Sequence, residues 1–317
     1  MRPVFFVSII ILPTYLPKFT NNQFKEEVLI QKECFSSVVR DIFRRILSIF
    51  ADRKHRKMKI EAIFFDIDGT LVSFNTHTIP PSTIEVIKKV RRKGVKVFIA
   101  TGRPKPFINN LGDLEYDGIL SFSGACCEDN DGNVLFQENI DRSDLLKVIT
   151  YHKEHPIPIA FASEKEIFIT STNETTKEVY TLLDIKDYGK IRPIEDSLDI
   201  NPIQIIAFFE EIEEKHIMEK VLPDCEAFRW HPAFADIVKK GVSKATGISR
   251  VLSLYNIPLE NVMAFGDGGN DIAMLDYVPH SVAMGNANEE VKRHARYTTD
   301  TIDNDGVAKM LEKTILN

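Results

Sequence analysis

Cysteine is scarce in this chain, with 4 among 317 residues, and its spacing excludes several classes of protein. No Cys-x-x-Cys pair is present, which argues against a zinc site or a redox motif. A disulfide between the adjacent Cys126 and Cys127 would be badly strained. We therefore expect Cys34, Cys126, Cys127 and Cys225 to be free thiols in a reducing, cytoplasmic compartment.

Long hydrophobic runs are also lacking. The run near the N-terminus, residues 4–12, is shorter than the roughly 20 apolar residues that span a bilayer. Residues 35–50 combine apolar positions at helical spacing with a basic face, a pattern typical of an interfacial membrane helix. Met58 precedes the first predicted strand and is a natural start. We therefore interpret residues 1–57 as an extension outside the fold, with a membrane anchor as the alternative.

Basic residues are fewer than acidic residues over most of the chain, and the net charge of the whole chain is −6. Residues 1–57 hold 11 Lys and Arg against 5 Asp and Glu, which leaves 29 against 41 in the remainder. This acidic body argues against nucleic acid as a partner, because nucleic-acid binding depends on neutralising phosphates with Lys and Arg. An anionic ligand would have to be received by local cations.

The most informative stretch is residues 60–71, Ile-Glu-Ala-Ile-Phe-Phe-Asp-Ile-Asp-Gly-Thr-Leu. Its short apolar run suits a buried parallel strand, and chemistry in open parallel sheets lies beyond the carboxyl ends of the strands. We therefore predict that Asp66 is a nucleophile or metal ligand. Asp68 would face the same space, because side chains alternate along extended chain. An acidic turn after a core strand is the alternative.

Two further segments carry groups suited to an anion. Residues 95–103 form a predicted strand that ends at Thr101 and Gly102, whose hydroxyl and following backbone N–H groups suit phosphate oxygens. Lys244 would lie in the first turn of a helix with Ser243 as N-cap, where the helix dipole disfavours a cation unless it meets an anion. An N-cap at Thr101 and an exposed lysine at position 244 are the alternatives.

A fourth segment, residues 261–275, contains Gly-Asp-Gly-Gly-Asn-Asp after an apolar strand. Asp267 and Asp271 flank paired glycines and Asn270, which makes a compact acidic loop. Hard cations such as Mg²⁺ take carboxylate oxygens as ligands and keep several waters. Because the loop follows a predicted buried strand, we favour a metal site over a solvated turn.

The ordered set Asp-x-Asp-Gly-Thr, Thr-Gly-Arg, a lone lysine and Gly-Asp-x-x-Asn-Asp resembles the haloacid dehalogenase superfamily of phosphohydrolases. The resemblance covers residues 58–317 and is closest to the Cof-type subfamily, in particular to bacterial sugar-phosphate phosphatases. It implies an α/β fold with a Rossmann-like parallel sheet core and an inserted α+β cap of class IIB. One departure is Ser123, which stands where the subfamily often has Asn, so the substrate contact of that position is not carried over.

By this resemblance the protein would be a Mg²⁺-dependent phosphatase of a small phosphorylated metabolite. Asp66 would attack phosphorus to form an aspartyl-phosphate, and Asp68 would protonate the leaving alcohol and then activate water. Mg²⁺ would bind Asp66, the main-chain carbonyl of Asp68 and Asp267, and Asp271 would orient these ligands or bind the metal through a water molecule. The phosphate oxygens would be held by Thr101, Gly102, Lys244 and Asn270.

Spacing identifies the position of the cap. Only 30 residues lie between Thr70 and Thr101, and the first helix and second strand fill them. Between Thr101 and Lys244 lie 142 residues, whose mixed strands and helices indicate an α+β insert. We expect three parts: an N-terminal extension of residues 1–57, a catalytic core of residues 58–139 and 232–317, and a cap of residues 140–231.

Residues near the return from cap to core are predicted to set substrate specificity. Arg229, Trp230 and His231 combine a flat aromatic ring with polar groups, which suits a sugar face, although Trp230 is equally well explained as cap core. Two other functions stay open. One is a phosphotransferase that passes the phosphoryl group to a second alcohol, and the other is a sugar-phosphate-binding regulatory protein with little turnover.

Overall fold

The computed structural model describes residues 59–316, so the predicted extension of residues 1–57 lies outside them. The strands of this region are Ala62–Phe65 (β1), Lys96–Ala100 (β2), Gly118–Ser121 (β3), Cys126–Asp129 (β4), Val134–Gln137 (β5), Ile159–Ala162 (β6), Ile167–Ile169 (β7), Lys190–Ile191 (β8), Gln204–Ala207 (β9), Cys225–His231 (β10), Phe234–Lys239 (β11), Val262–Gly266 (β12), His280–Ala283 (β13) and Tyr297–Thr298 (β14). The α-helices are Pro81–Arg92 (α1), Arg142–Glu154 (α2), Glu174–Leu182 (α3), Ser197–Ile200 (α4), Glu211–His216 (α5), Lys244–Tyr255 (α6), Ile272–Tyr277 (α7), Glu289–His294 (α8) and Gly306–Leu311 (α9).

The first sheet has eight strands in the order β14-β13-β12-β1-β2-β3-β4-β5. From β14 to β3 the neighbouring strands run parallel, and β3, β4 and β5 form an antiparallel edge. Strands β1 and β12 are buried along their whole length, as their continuous apolar runs predict for parallel strands covered on both faces. The predicted α/β fold with a Rossmann-like parallel core is confirmed.

Apolar side chains cover both faces of this sheet. Ile63 and Phe65 of β1 pack in one cluster with buried residues of α1 and α9, and Phe64 packs on the opposite face in a cluster with residues of α6. Alternation along the strand sends these side chains to opposite sides, and each fully buried one contributes roughly 1.5–3 kcal/mol. The central strands are therefore held firmly, together with the polar residues that follow them.

The second sheet has six strands in the order β10-β11-β9-β6-β7-β8, antiparallel except for the β7–β8 pair. The sheet continues beyond residue 231, the residue at which the sequence predicted that the cap ends. Strand β11, residues 234–239, pairs with both β10 and β9. From the sequence, an apolar strand at this position could belong to either sheet. Its hydrogen-bonded pairing with β10 and β9 shows that it belongs to the second sheet.

Other local features follow the sequence with small differences. The charged segment of residues 211–221 forms two elements, because α5 ends at His216 and a π-helical turn follows at Ile217–Val221. Cys126, Cys127 and Cys225 are buried free thiols, while Cys34 lies outside the described residues. No helix within residues 59–316 is long and apolar enough to cross a membrane.

Candidate active site

Asp66 stands directly beyond β1, at the carboxyl edge of the parallel sheet. Its backbone N–H donates to the Phe265 carbonyl at 3.0 Å, which continues the pairing of β1 with β12. In the turn that follows, Gly69 has a φ of +83°, and a Cβ there would lie 2.1 Å from Asp267 Oδ2. Glycine at this position therefore lets the loops after β1 and β12 approach each other, which brings Asp66 and Asp267 together.

Asp267 and Asp271 belong to the loop after β12. Asp271 Oδ2 accepts the backbone N–H groups of Asp267 at 2.9 Å and Gly268 at 3.0 Å, so its carboxylate fixes the loop. Asp267 Oδ1 accepts the Thr70 hydroxyl at 2.8 Å. Carboxylate oxygens of Asp66, Asp267 and Asp271 all lie within 4.8 Å of one another. A cluster of this kind suits a hard divalent cation.

Lys244 provides a positive charge inside this cluster. It begins α6, whose predicted N-cap is confirmed, since the Ser243 side chain accepts the N–H of Thr246. The Lys244 side chain is 1% exposed, and its Nζ donates to Asp66 Oδ1 at 2.6 Å and Asp271 Oδ1 at 2.7 Å. The anions that this helix-start lysine meets are thus two carboxylates of the protein, while its contact with phosphate stays a prediction.

Burial shapes the electrostatics of the cluster. Desolvation, with help from the Asp271 carboxylate, raises the pKa of Asp66, and desolvation with Asp66 nearby raises the pKa of Asp267. Burial by itself would lower the pKa of Lys244, but the Asp271 and Asp66 carboxylates hold it above its ordinary value. A divalent cation would favour the ionised carboxylates and oppose both acid shifts. The residues therefore fit a hard divalent cation.

Asp68 is held by an arginine that the sequence motif contains. Arg103 Nε donates to Asp68 Oδ2 at 2.6 Å, and Arg103 Nη2 donates to Asp68 Oδ1 at 2.7 Å. The pair is bidentate, the geometry in which a guanidinium fixes both oxygens of a carboxylate. Asp68 nevertheless lines a cavity, with 18% of its side chain exposed.

This cavity, of about 520 Å³, lies over the carboxyl edge of the first sheet. It is lined by predicted site residues from three separate motifs, namely Asp66, Asp68, Thr101, Gly102, Asp267 and Asn270. Thr101 Oγ1 accepts the Arg103 N–H at 3.0 Å, which leaves the hydroxyl hydrogen available to a ligand. Across the cavity lie mainly apolar side chains of the second sheet, of its helix α3 and of the residues directly after these elements, including Tyr180, Leu183 and Phe208.

Comparison with known proteins assigns the chain to a family. Residues 63–311 match a family model described as haloacid dehalogenase-like hydrolase. The chain belongs to the haloacid dehalogenase-like hydrolases. The resemblance that the four ordered motifs predicted is thereby confirmed.

Individual members of the family show the same likeness. YkrA of Bacillus subtilis, a candidate phosphatase, is 31% identical over 258 residues, which are 79% of this chain and 96% of YkrA. The solved structure of BT4131, a subclass IIB sugar phosphatase, has 41% sequence identity and a TM-score of 0.75, covering 80% of this chain and 98% of that one. A candidate bifunctional phosphatase/peptidyl-prolyl cis-trans isomerase of Streptococcus pyogenes is 28% identical over 84% of this chain, but the chain spans only 56% of its length. These relatives make the chain a haloacid dehalogenase-like phosphatase.

Two residues of this haloacid dehalogenase-like site were not singled out from the sequence. Arg103 is part of the Thr-Gly-Arg motif, yet the motif alone does not show that its guanidinium binds Asp68. Asp236 on β11 is 4% exposed and lines the cavity, with its Oδ2 close to Gly102. The signal that could have found Asp236 is a lone acid within an otherwise apolar strand, residues 234–238.

The predicted specificity residues lie on β10. Arg229 Nε donates to Glu214 at 2.7 Å and its Nη1 to the Pro232 carbonyl at 2.7 Å, so the guanidinium is bound within the second sheet's own unit. Neither Arg229 nor His231 is among the described residues that line the cavity. The side chain of Trp230 lies outside the described residues. A role for these three in specificity stays a prediction.

Asp236 gives a pH-dependent prediction for stability. Burial raises its pKa to about 8, whereas an unfolded chain returns an Asp to about 3.9. At a pH between these two pKa values, unfolding releases a proton. This group therefore makes the free energy of unfolding fall as pH rises, by roughly 1.4 kcal/mol per pH unit. We expect Asp236→Asn, which cannot ionise, to exceed the wild type in stability by a margin that grows from about pH 5 to pH 8.

Urea unfolding across this pH range measures the margin. The exposed Asp113→Asn serves as the control and is expected to show no such trend. A margin for Asp236→Asn that stays constant with pH would contradict a protonated Asp236 in the folded protein.

Proposed function

We propose that the protein is a Mg²⁺-dependent phosphatase that hydrolyses small phosphate monoesters through an aspartyl-phosphate on Asp66. The observation that carries this proposal is Asp66 at the cavity, hydrogen-bonded to Lys244 and clustered with Asp267 and Asp271. Sugar phosphates are the proposed substrate class, because BT4131 is named a sugar phosphatase.

The proposed reaction has two steps. In the first, an oxygen of Asp66 attacks phosphorus, the bond from phosphorus to the alcohol oxygen breaks, and Asp68 gives that oxygen a proton. In the second, Asp68 takes a proton from water, and the resulting hydroxide displaces Asp66 and releases inorganic phosphate. Thr101, Gly102, Lys244 and Asn270 would bind the phosphate oxygens and offset their charge.

Asp66, Asp267 and the main-chain carbonyl of Asp68 would hold Mg²⁺. Asp271 would orient this set through the loop N–H groups that it accepts. Bound there, Mg²⁺ would supply Lewis-acid charge that offsets repulsion between the carboxylates and an anionic phosphate.

The second sheet would act as the cap that recognises the leaving group. We propose that the cap begins near residue 140 and includes β11, because that strand pairs with the second sheet and Asp236 on it lines the cavity. Residues 58–139 and the chain after β11 would form the catalytic core, with the cap covering its reacting groups.

Metal removal tests the proposal directly. We expect full-length protein to release phosphate from sugar phosphates with Mg²⁺ and to lose at least about a hundredfold in rate with EDTA, because the metal contributes several kcal/mol of charge stabilisation. Mg²⁺ should also raise the melting temperature, as a ligand of the folded state does, and Asp267→Asn should weaken that rise.

A panel of phosphorylated sugars, nucleotides and cofactors identifies the substrate class. Phosphate release confined to other esters would replace the sugar-phosphate assignment. Transfer of phosphate to added alcohols in place of water would favour the phosphotransferase. A folded protein that gains stability from Mg²⁺ but releases no phosphate across the panel would overturn the phosphatase proposal.

A further inference from the structure

Arg103 contacts three separate segments at the same time: Asp68, the turn that follows β2, and the end of helix α3. Besides its two bonds to Asp68, Arg103 donates from Nη1 to the Phe107 carbonyl at 2.8 Å and from Nη2 to the Leu183 carbonyl at 2.9 Å. Phe107 ends the short 3-10 turn Lys105–Phe107 that follows β2 along the chain, and Leu183 directly follows α3. The Arg103 side chain is 5% exposed, so these bonds are made largely away from water.

This geometry fixes the orientation of a carboxylate. A carboxyl group on a short side chain can rotate about its last bond, but a planar guanidinium that binds both oxygens holds its plane. The carbonyls of Phe107 and Leu183 in turn hold the guanidinium. In this pair both oxygens of Asp68 accept N–H groups, so the carboxylate is held in one orientation from which it can take a proton from water.

We propose that Arg103 is a positioning residue that orients the Asp68 carboxylate for its role as base, and that the Leu183 carbonyl makes this orientation depend on the position of the cap. The inference rests on the proposed function, because it concerns the step in which water hydrolyses the aspartyl-phosphate. When Asp68 instead donates its proton to the leaving alcohol, one of the two bonds from Arg103 has to open.

The kinetics of p-nitrophenyl phosphate separate the two steps. Its phenolate leaves without a proton from Asp68, so loss of Arg103 should slow only the second step. We expect Arg103→Met to lower kcat by roughly a hundredfold, the lower range of what a general base contributes. KM should fall with kcat, kcat/KM should stay nearly constant, and p-nitrophenol should appear in a burst of about one per enzyme as the aspartyl-phosphate accumulates.

A double-mutant comparison shows whether Arg103 acts through Asp68. Adding Arg103→Met to Asp68→Asn should cause no further loss in kcat, because the oriented base is already absent. Arg103→Lys, which keeps the charge but not the planar fork, should fall between wild type and Arg103→Met. Arg192→Met is the matched control: Arg192 binds Asp196 and Glu166 outside the cavity lining and should keep wild-type kinetics.

Several outcomes would overturn the inference. A drop in kcat/KM without a burst, or an equal loss in the presence and absence of Asp68, would show that Arg103 acts on the substrate itself. If Arg103→Met does not fold, Arg103→Lys decides by the same burst and kcat/KM criteria. Wild-type protein without phosphatase activity would overturn the proposed function, and this inference with it.

Discussion

We expect Asp66→Asn to abolish phosphate release while the protein stays folded. The amide has nearly the same shape as the carboxylate but cannot act as the attacking nucleophile. Loss of a covalent nucleophile costs on the order of 10⁶-fold in rate. Folding should tolerate the change, because it removes one of three clustered acids and Lys244 keeps its 2.7 Å bond to Asp271.

Phosphate release and acid-quenched labelling of the protein measure this effect. Wild-type protein should carry phosphate on Asp66 during turnover, and Asp66→Asn should carry none. The exposed Asp113→Asn should retain both turnover and labelling. Mg²⁺-dependent turnover of Asp66→Asn at an appreciable fraction of the wild-type rate would exclude the covalent mechanism.

Lys244→Met should impair both stability and catalysis. Its ammonium is the hydrogen-bond partner of two buried carboxylates, on Asp66 and Asp271, and removal of one member of a buried ionic network costs roughly 3–5 kcal/mol. The proposed phosphate contact would also be lost, and removal of one such charge-stabilising donor lowers kcat by roughly 10²–10³-fold.

Magnesium provides a sharper criterion for this variant. Without the lysine, the acidic cluster has one positive charge fewer and should bind Mg²⁺ more tightly. Urea unfolding with EDTA and with Mg²⁺ should therefore show a larger gain from the metal in Lys244→Met than in the wild type. Lys240→Met changes an exposed lysine of the same segment and should match the wild type. Unchanged stability of Lys244→Met in EDTA would contradict the ionic network.

The proposed catalytic scheme and the proposed substrate class would depend on different parts of the molecule. Asp66, Asp267 and Lys244 lie at the carboxyl edge of a buried parallel sheet, where the family's common chemistry is expected. The leaving group would meet the second sheet's side of the cavity, whose wall is mainly apolar apart from Asp236. The hydroxyl groups of a sugar substrate would have to form hydrogen bonds with the few polar side chains there. The substrate panel therefore tests whether a sugar or a less polar leaving group is preferred.

The sequence by itself determined the parallel core and the main acidic residues of the site. Buried parallel strands need continuous apolar runs, and residues that follow such strands meet at one edge, so Asp66, Thr101 and Asp267 could be placed together from local pattern alone. The family assignment followed from the same short motifs, because their order along the chain is as specific as their composition.

The tertiary structure alone decided the partners of the buried charges and the extent of the second sheet. Lys244 bonds Asp66 across 178 positions of the chain, and no periodic pattern reports such a pairing. Likewise, the sequence of β11 is compatible with either sheet, and only its hydrogen bonds to β9 and β10 assign it to the second. The raised pKa of Asp236 comes from burial, and the bidentate hydrogen bonds from Arg103 to Asp68 join residues that are distant in the sequence. Both arise from long-range packing, which local sequence does not encode.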